Sequence, residues 1–164
     1  EILLSPSYQL TPVAELCLFE ANRSIHVHQV INPALESGHD VISDRFDDAS
    51  TVYQSIVGGI PLETVLLLNR VATEGIHPDL TFLLDADHKA TRNYVTHTEF
   101  GKPDRIEPRP TEKQIRTIEG YRALQLIFPE RIKLIPFIEG KPELMHQKIR
   151  EYVDRLIEDR LRFE

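Results

Sequence analysis

The chain has 164 residues, 41% of them apolar and 27% charged, a size and balance that suit one globular domain with a substantial hydrophobic core. A formal net charge of −7 argues against a general binder of nucleic acid or anionic membranes, since both need a basic surface. The one cysteine, Cys17, cannot form an internal disulfide and suits a reducing, cytoplasmic setting, and no apolar run approaches the roughly eighteen residues of a membrane span.

Helix and strand signals alternate along the chain. Thr11 is placed to cap a helix opening at Pro12, with apolar residues recurring at Val13, Leu16, Cys17, Ala21 and Ile25. Pro33 should kink or break that helix, and Gly38 should mark the turn after it. The short apolar run DVIS (40–43) reads as a buried strand. A helix from Pro61 should end at Gly75, before Pro78. LTFLLD (80–85) reads as a second strand and RIKLIPF (131–137) as a third. Between them Thr111 and Gln114 form a capping box for a helix to about Phe128. From Pro142 onward Met145, Ile149, Tyr152, Val153 and Leu156 follow helical spacing.

Apolar strands separated by helices imply an α/β fold with a parallel sheet covered on both faces. Ligands in such sheets bind beyond the carboxyl ends of the strands, where Asp44 and Asp85 are expected. In SDRFDDASTVYQS (43–55), Asp44 can hold a hydrated Mg²⁺ and Arg45 can grip phosphate oxygens with its planar fork. Ser50, Tyr53 and Gln54 would supply directional hydrogen bonds. The plain reading of the same stretch is a strand, a solvated turn and a helix capped by Ser50, with Asp47 and Asp48 facing solvent. Cys17, on an apolar stripe, reads as core. The histidines show no zinc-ligand spacing, and His26 and His28 are two apart on a helix and do not share a face.

Several motifs occur together in one order: Leu-Phe-x-Ala-x-Arg at residues 18–23, Pro-Ala-Leu at 33–35, Asp-Arg-Phe at 44–46 and Tyr-Gln at 53–54. Pro-Asp-Leu-Thr at 78–81, Leu-Leu-Asp at 83–85, Asp-Arg-x-Glu at 104–107 and Gly-Tyr at 120–121 follow. Over nearly the whole chain this order resembles the thymidylate kinase (dTMP kinase) family. The resemblance implies a P-loop-kinase-like α/β fold, ATP- and Mg²⁺-dependent phosphorylation of dTMP to dTDP, and a homodimer. It implies that Phe19 stacks on thymine, that Arg23 contacts the base, and that Arg45 binds the acceptor phosphate. Asp44 would lie near the metal, acting on it through water; Ser50 and Gln54 would line the base pocket, and Tyr53 would lie near the sugar. Without the resemblance, Phe19 passes for core and Arg23 for a surface charge.

Some positions depart from the family pattern. Ala49 stands where members commonly have Ser, and Lys113 and Thr117 fall on the expected apolar face of the helix after the lid. The lid segment, approximately 92–107, offers only Arg92, Lys102 and Arg105 as basic candidates, with Arg92 counted among the catalytic ones. The phosphate-binding loop G-x-x-x-x-G-K-[ST] is not found. Residues 1–164 are therefore expected to form a single nucleoside-monophosphate-kinase-like domain that lacks the N-terminal strand and loop, and to be inactive as it stands. The rival expectation is a degenerate or fragmentary nucleotide-binding scaffold without catalysis.

Overall fold

The computed structural model describes residues 2, 3, 5, 7–86 and 111–163. Residues 92–107, with Arg92, Lys102 and Arg105, lie outside the described residues. The chain divides into two compact units, Glu1–His77 with Gly101–Gly120 and Pro78–Phe100 with Tyr121–Glu164.

The first unit is helical. Helix α1 (Pro12–His26) opens as its sequence predicts: Thr11 Oγ1 accepts the Ala14 N–H at 3.2 Å, and Pro12, with no N–H to lose, takes the first turn. The helix does not break at Pro33. It widens into a π-helical turn over Val27–Ile31 and runs on as α2 (Asn32–Glu36). The widened turn directly precedes the proline whose missing N–H would interrupt a regular ladder. Gly38 then turns the chain in the left-handed region, at φ +76°.

The inward row of this long helix is Leu16, Glu20, Val27 and Ile31. Cys17 is exposed, as are Val13, Ala21 and Ile25. The core reading of Cys17 is therefore corrected: it follows the buried Leu16 by one residue, which on a helix turns it about 100° away.

Residues 40–43 form no strand. Ile42 is 99% exposed, and among the described residues no strand pairs with this segment. Four residues become a strand only when a neighbour accepts their backbone hydrogen bonds. The chain instead bends at Asp44–Arg45 and enters α3 (Asp47–Ser50), followed by a π-helical run over Thr51–Val57. Ser50 is thus inside a helix rather than capping one. Asp47 and Asp48, expected to face solvent, are both buried.

The π-helical run ends at Gly58, where an added Cβ would stand only 2.6 Å from the Gln54 carbonyl oxygen. Gly58 and Gly59 therefore serve a tight exit from the helix carrying Tyr53 and Gln54. Helix α4 (Leu62–Ala72) starts after Pro61 and is followed by Gly75 at φ +81°. Its fully buried Val65 meets Leu16 and Ile60 in the core, with Leu68 packed against them.

The second unit contains the sheet. Strands β1 (Thr81–Asp85) and β2 (Ile132–Pro136) pair in parallel, with Thr81 opposite Ile132 and Asp85 opposite Pro136. Helix α5 (Thr111–Ile127) lies between them in sequence, its residues 111–120 counted with the first unit and 121–127 with the second. On α5, Thr117 donates its hydroxyl to the Lys113 carbonyl at 2.8 Å, so this polar side chain is satisfied within its own helix. Helix α6 (Pro142–Phe163) follows, and its Tyr152 ring lies 6.2 Å from that of Phe82 on β1. Ile132 and Ile135 are the buried residues of β2.

Candidate functional site

The densest polar cluster among the described residues lies wholly in the first unit, between α1, the 44–54 segment and α4. At its centre is Arg23, whose side chain is only 10% exposed. Its Nη1 donates to both oxygens of Glu20 at 2.7 and 2.8 Å, and to Asn69 Oδ1 at 3.1 Å. Its Nη2 donates to the Phe46 carbonyl and to Ser50 Oγ, both at 3.0 Å. The guanidinium also stands 5.4 Å from the Phe46 ring centre, close enough for a cation–π contribution. Arg23 is therefore neither a surface charge nor a free pocket group.

Three elements meet at this guanidinium. Ser50 Oγ donates to Glu20 Oε1 at 2.7 Å while accepting from Arg23. Asn69 on α4 donates through Nδ2 to the Asp47 carbonyl at 3.0 Å and to Thr51 Oγ1 at 3.1 Å. Asp47 Oδ1 accepts the Asp48 N–H, and Asp47 Oδ2 lies 3.1 Å from His77 Nδ1. Burial makes these bonds matter. A charge removed from water costs several kcal/mol unless partners satisfy it, and the Arg23 and Glu20 charges are matched here one to one.

The Asp44-Arg45 pair lies at the bend leading into this cluster. Both residues are exposed. Arg45 holds φ +68°, a left-handed conformation that is costly for a residue with a Cβ and that gathers at functional sites. Its guanidinium sits 5.8 Å from the Tyr53 ring centre. Gln54, buried beside it in sequence, donates from Nε2 to Glu15 Oε1 of α1 at 2.9 Å. Phe19 is half-buried on α1. The structure thus joins Arg23 to Ser50 and Arg45 to Tyr53.

Glu20, Asn69 and the buried Asp47 are the members that sequence reasoning passed over. The signal for Glu20 was its place in the row Leu16, Glu20, Val27, Ile31, where a lone carboxylate interrupts an apolar face. Asn69 gives no such signal, because a polar residue on an amphipathic helix is ordinary.

Among the described residues no three His, Cys, Asp or Glu side chains gather into a metal site. An exposed carboxylate such as Asp44 nevertheless fits Mg²⁺, which keeps several waters and takes one or two carboxylates alongside substrate phosphates. No helix among the described residues is long and apolar enough to cross a membrane.

The fold resembles that of the crystal structure of thymidylate kinase from Ehrlichia chaffeensis, with a TM-score of 0.71 at 23% identity, covering 90% of this chain and 68% of that one. It is an α/β fold. A family profile described as thymidylate kinase matches residues 1–149. A thymidylate kinase of Exiguobacterium sp. is 39% identical over 158 residues, covering 95% of this chain and 73% of its relative. One of Chlorobaculum parvum is 36% identical over 156 residues, covering 91% and 71%. The chain belongs to the thymidylate kinase family.

Proposed function

We propose that the protein is an ATP- and Mg²⁺-dependent phosphotransferase that converts dTMP to dTDP, with the acceptor bound at the 44–54 segment. The observation that carries this reading is the pairing of an exposed, left-handed Arg45 with a buried Arg23–Ser50 cluster one turn of chain away. The two features answer the two ends of a nucleotide. Arg45 presents a planar fork to water, suited to two oxygens of a monophosphate. Tyr53, beneath that guanidinium, limits its swing and borders the sugar. Phe19 offers a half-buried ring for stacking, while Arg23, Ser50 and Gln54 line the base.

Mg²⁺, when bound, would neutralise charge on the transferring phosphoryl group, and Asp44 would hold it through water. Phosphoryl transfer asks the protein mostly for positioning and positive charge. Arg45 supplies both at the acceptor, and Arg92, Lys102 and Arg105 would add charge at the donor side. The single cysteine suits a reducing, cytoplasmic setting for this reaction.

A coupled assay with ATP and dTMP, run on protein that carries a phosphate-binding loop, tests the reading. dTDP formation is expected, and Arg45→Ala should lower kcat/KM for dTMP by about 10–100-fold, the weight of one or two hydrogen bonds to a charged group. The KM for ATP should stay unchanged. A preference for dUMP or AMP over dTMP would overturn the assignment.

The same reading makes the protein a homodimer that packs helices together. Val13, Cys17, Ala21 and Ile25 recur at four-residue intervals on the exposed side of α1, with Val13 58% and Ile25 56% exposed. A contiguous apolar helix face of this kind favours association. Sedimentation should find a dimer, and Ile25→Glu should shift it to monomer; a monomeric wild type counts against the dimer.

A further inference from the structure

We propose that Glu20 is a positioning residue that sets base selectivity, by fixing the hydrogen-bond directions of Arg23 and Ser50. The inference rests on the acceptor-pocket reading above.

Glu20 occupies the inward row of α1 between Leu16 and Val27, where packing alone would favour an apolar side chain. It is 6% exposed, and a carboxylate is kept at such a depth only with good partners. Its partners are two of the residues assigned to the base. Departures from the local pattern of this kind concentrate at functional sites.

The chemistry follows from counting donors and acceptors. A guanidinium carries five N–H groups. Here Nη1 is taken by Glu20 and Asn69, and Nη2 by Phe46 and Ser50. Among the described residues no partner meets Nε, so the donor left to a ligand is that edge. Ser50 has one hydroxyl proton, and Glu20 takes it at 2.7 Å. Toward a ligand Ser50 is then an acceptor only.

Glu20 thereby gives each group one role: Arg23 donates and Ser50 accepts. A 4-keto pyrimidine complements that pattern, offering a carbonyl oxygen beside an N3–H. A 4-amino pyrimidine offers the reverse, a donor beside a bare ring nitrogen. Without the carboxylate, Ser50 regains a free proton and Arg23 loses the partner that fixes its plane. The pocket would then accept either pattern. Sites that hydrogen-bond one pattern reject the other because buried groups are left unpaired.

Calorimetric titration of dTMP and dCMP into wild-type protein and Glu20→Gln, with steady-state kinetics and thermal denaturation of both, tests this. Gln has nearly the same shape but adds a donor and removes the charge. In Glu20→Gln the dTMP-to-dCMP affinity ratio should fall at least about tenfold, with KM for dTMP rising about tenfold and kcat changing less than about twofold. An unchanged ratio overturns the proposal, including when Tm and both affinities fall together, since that is a structural role only. Should Glu20→Gln not fold, Glu20→Asp, which keeps the charge at shorter reach, decides: a lowered ratio supports the proposal and an unchanged one overturns it. A wild type that does not prefer dTMP to dCMP overturns the acceptor-pocket reading itself, and this is visible before any variant is compared.

Discussion

Arg23→Ala is expected to lower unfolding free energy by about 3–5 kcal/mol, the cost of stranding one member of a buried ion pair. The Glu20 side chain is 7% exposed and directs both carboxylate oxygens at Arg23 Nη1. Truncating Arg23 leaves that carboxylate without its cation. It also strips a donor from the Phe46 carbonyl, Ser50 Oγ and Asn69 Oδ1. Against a typical total of about 5–15 kcal/mol, this is a major share. Urea denaturation measures it. The double variant Glu20→Leu with Arg23→Met should recover part of the loss, because apolar side chains of similar size often replace a buried pair at little cost. Full recovery is not expected, since three acceptors still lose their donor. A single-variant loss below about 1 kcal/mol, the range of an exposed pair, would mean that solvent reaches this cluster.

Asn69→Leu should cost more than about 3 kcal/mol, although volume is nearly conserved. Asn69 is 2% exposed and fully engaged: it accepts from Arg23 and donates to the Asp47 carbonyl and Thr51 Oγ1. Each lost hydrogen bond costs about 0.5–1.5 kcal/mol, and more where a charged group takes part; Arg23, the Asp47 carbonyl and Thr51 each lose one. The loss also releases the start of α3 from α4, so dTMP binding should weaken along with stability. Asn69→Asp separates the two causes. It keeps the acceptor for Arg23, removes the donor to Asp47 and Thr51, and adds a buried charge against the Asp47 carbonyl. A smaller loss in Asn69→Asp than in Asn69→Leu, despite that charge, would place the remainder on the acceptor for Arg23.

Much of the secondary structure was readable because its signals are local. Thr11 before Pro12, Pro61 before a helix, Gly75 after it, and the apolar run at 81–85 each act within a few residues. Residues 40–43 misled for a physical reason. A strand is a property of a pair, and the apolar Val41 and Ile42 say nothing about whether a neighbour is present. The faces of α1 were unreadable for a related reason. Val13, Cys17, Ala21 and Ile25 keep helical spacing as well as Leu16, Val27 and Ile31 do, and only packing against Ile60 and Val65 decided which row went inward.

The sequence alone determined the family and the α/β class, because motif order along a chain needs no three-dimensional information. Tertiary structure decided what those residues are bonded to. Arg23 was legible as a type of residue in a motif. Its commitment to Glu20, Asn69, Phe46 and Ser50 was not, since Asn69 lies far along the chain on another helix. Hydrogen bonds of this kind depend on side-chain direction over a few ångströms. That information exists only once α1, α3 and α4 have packed.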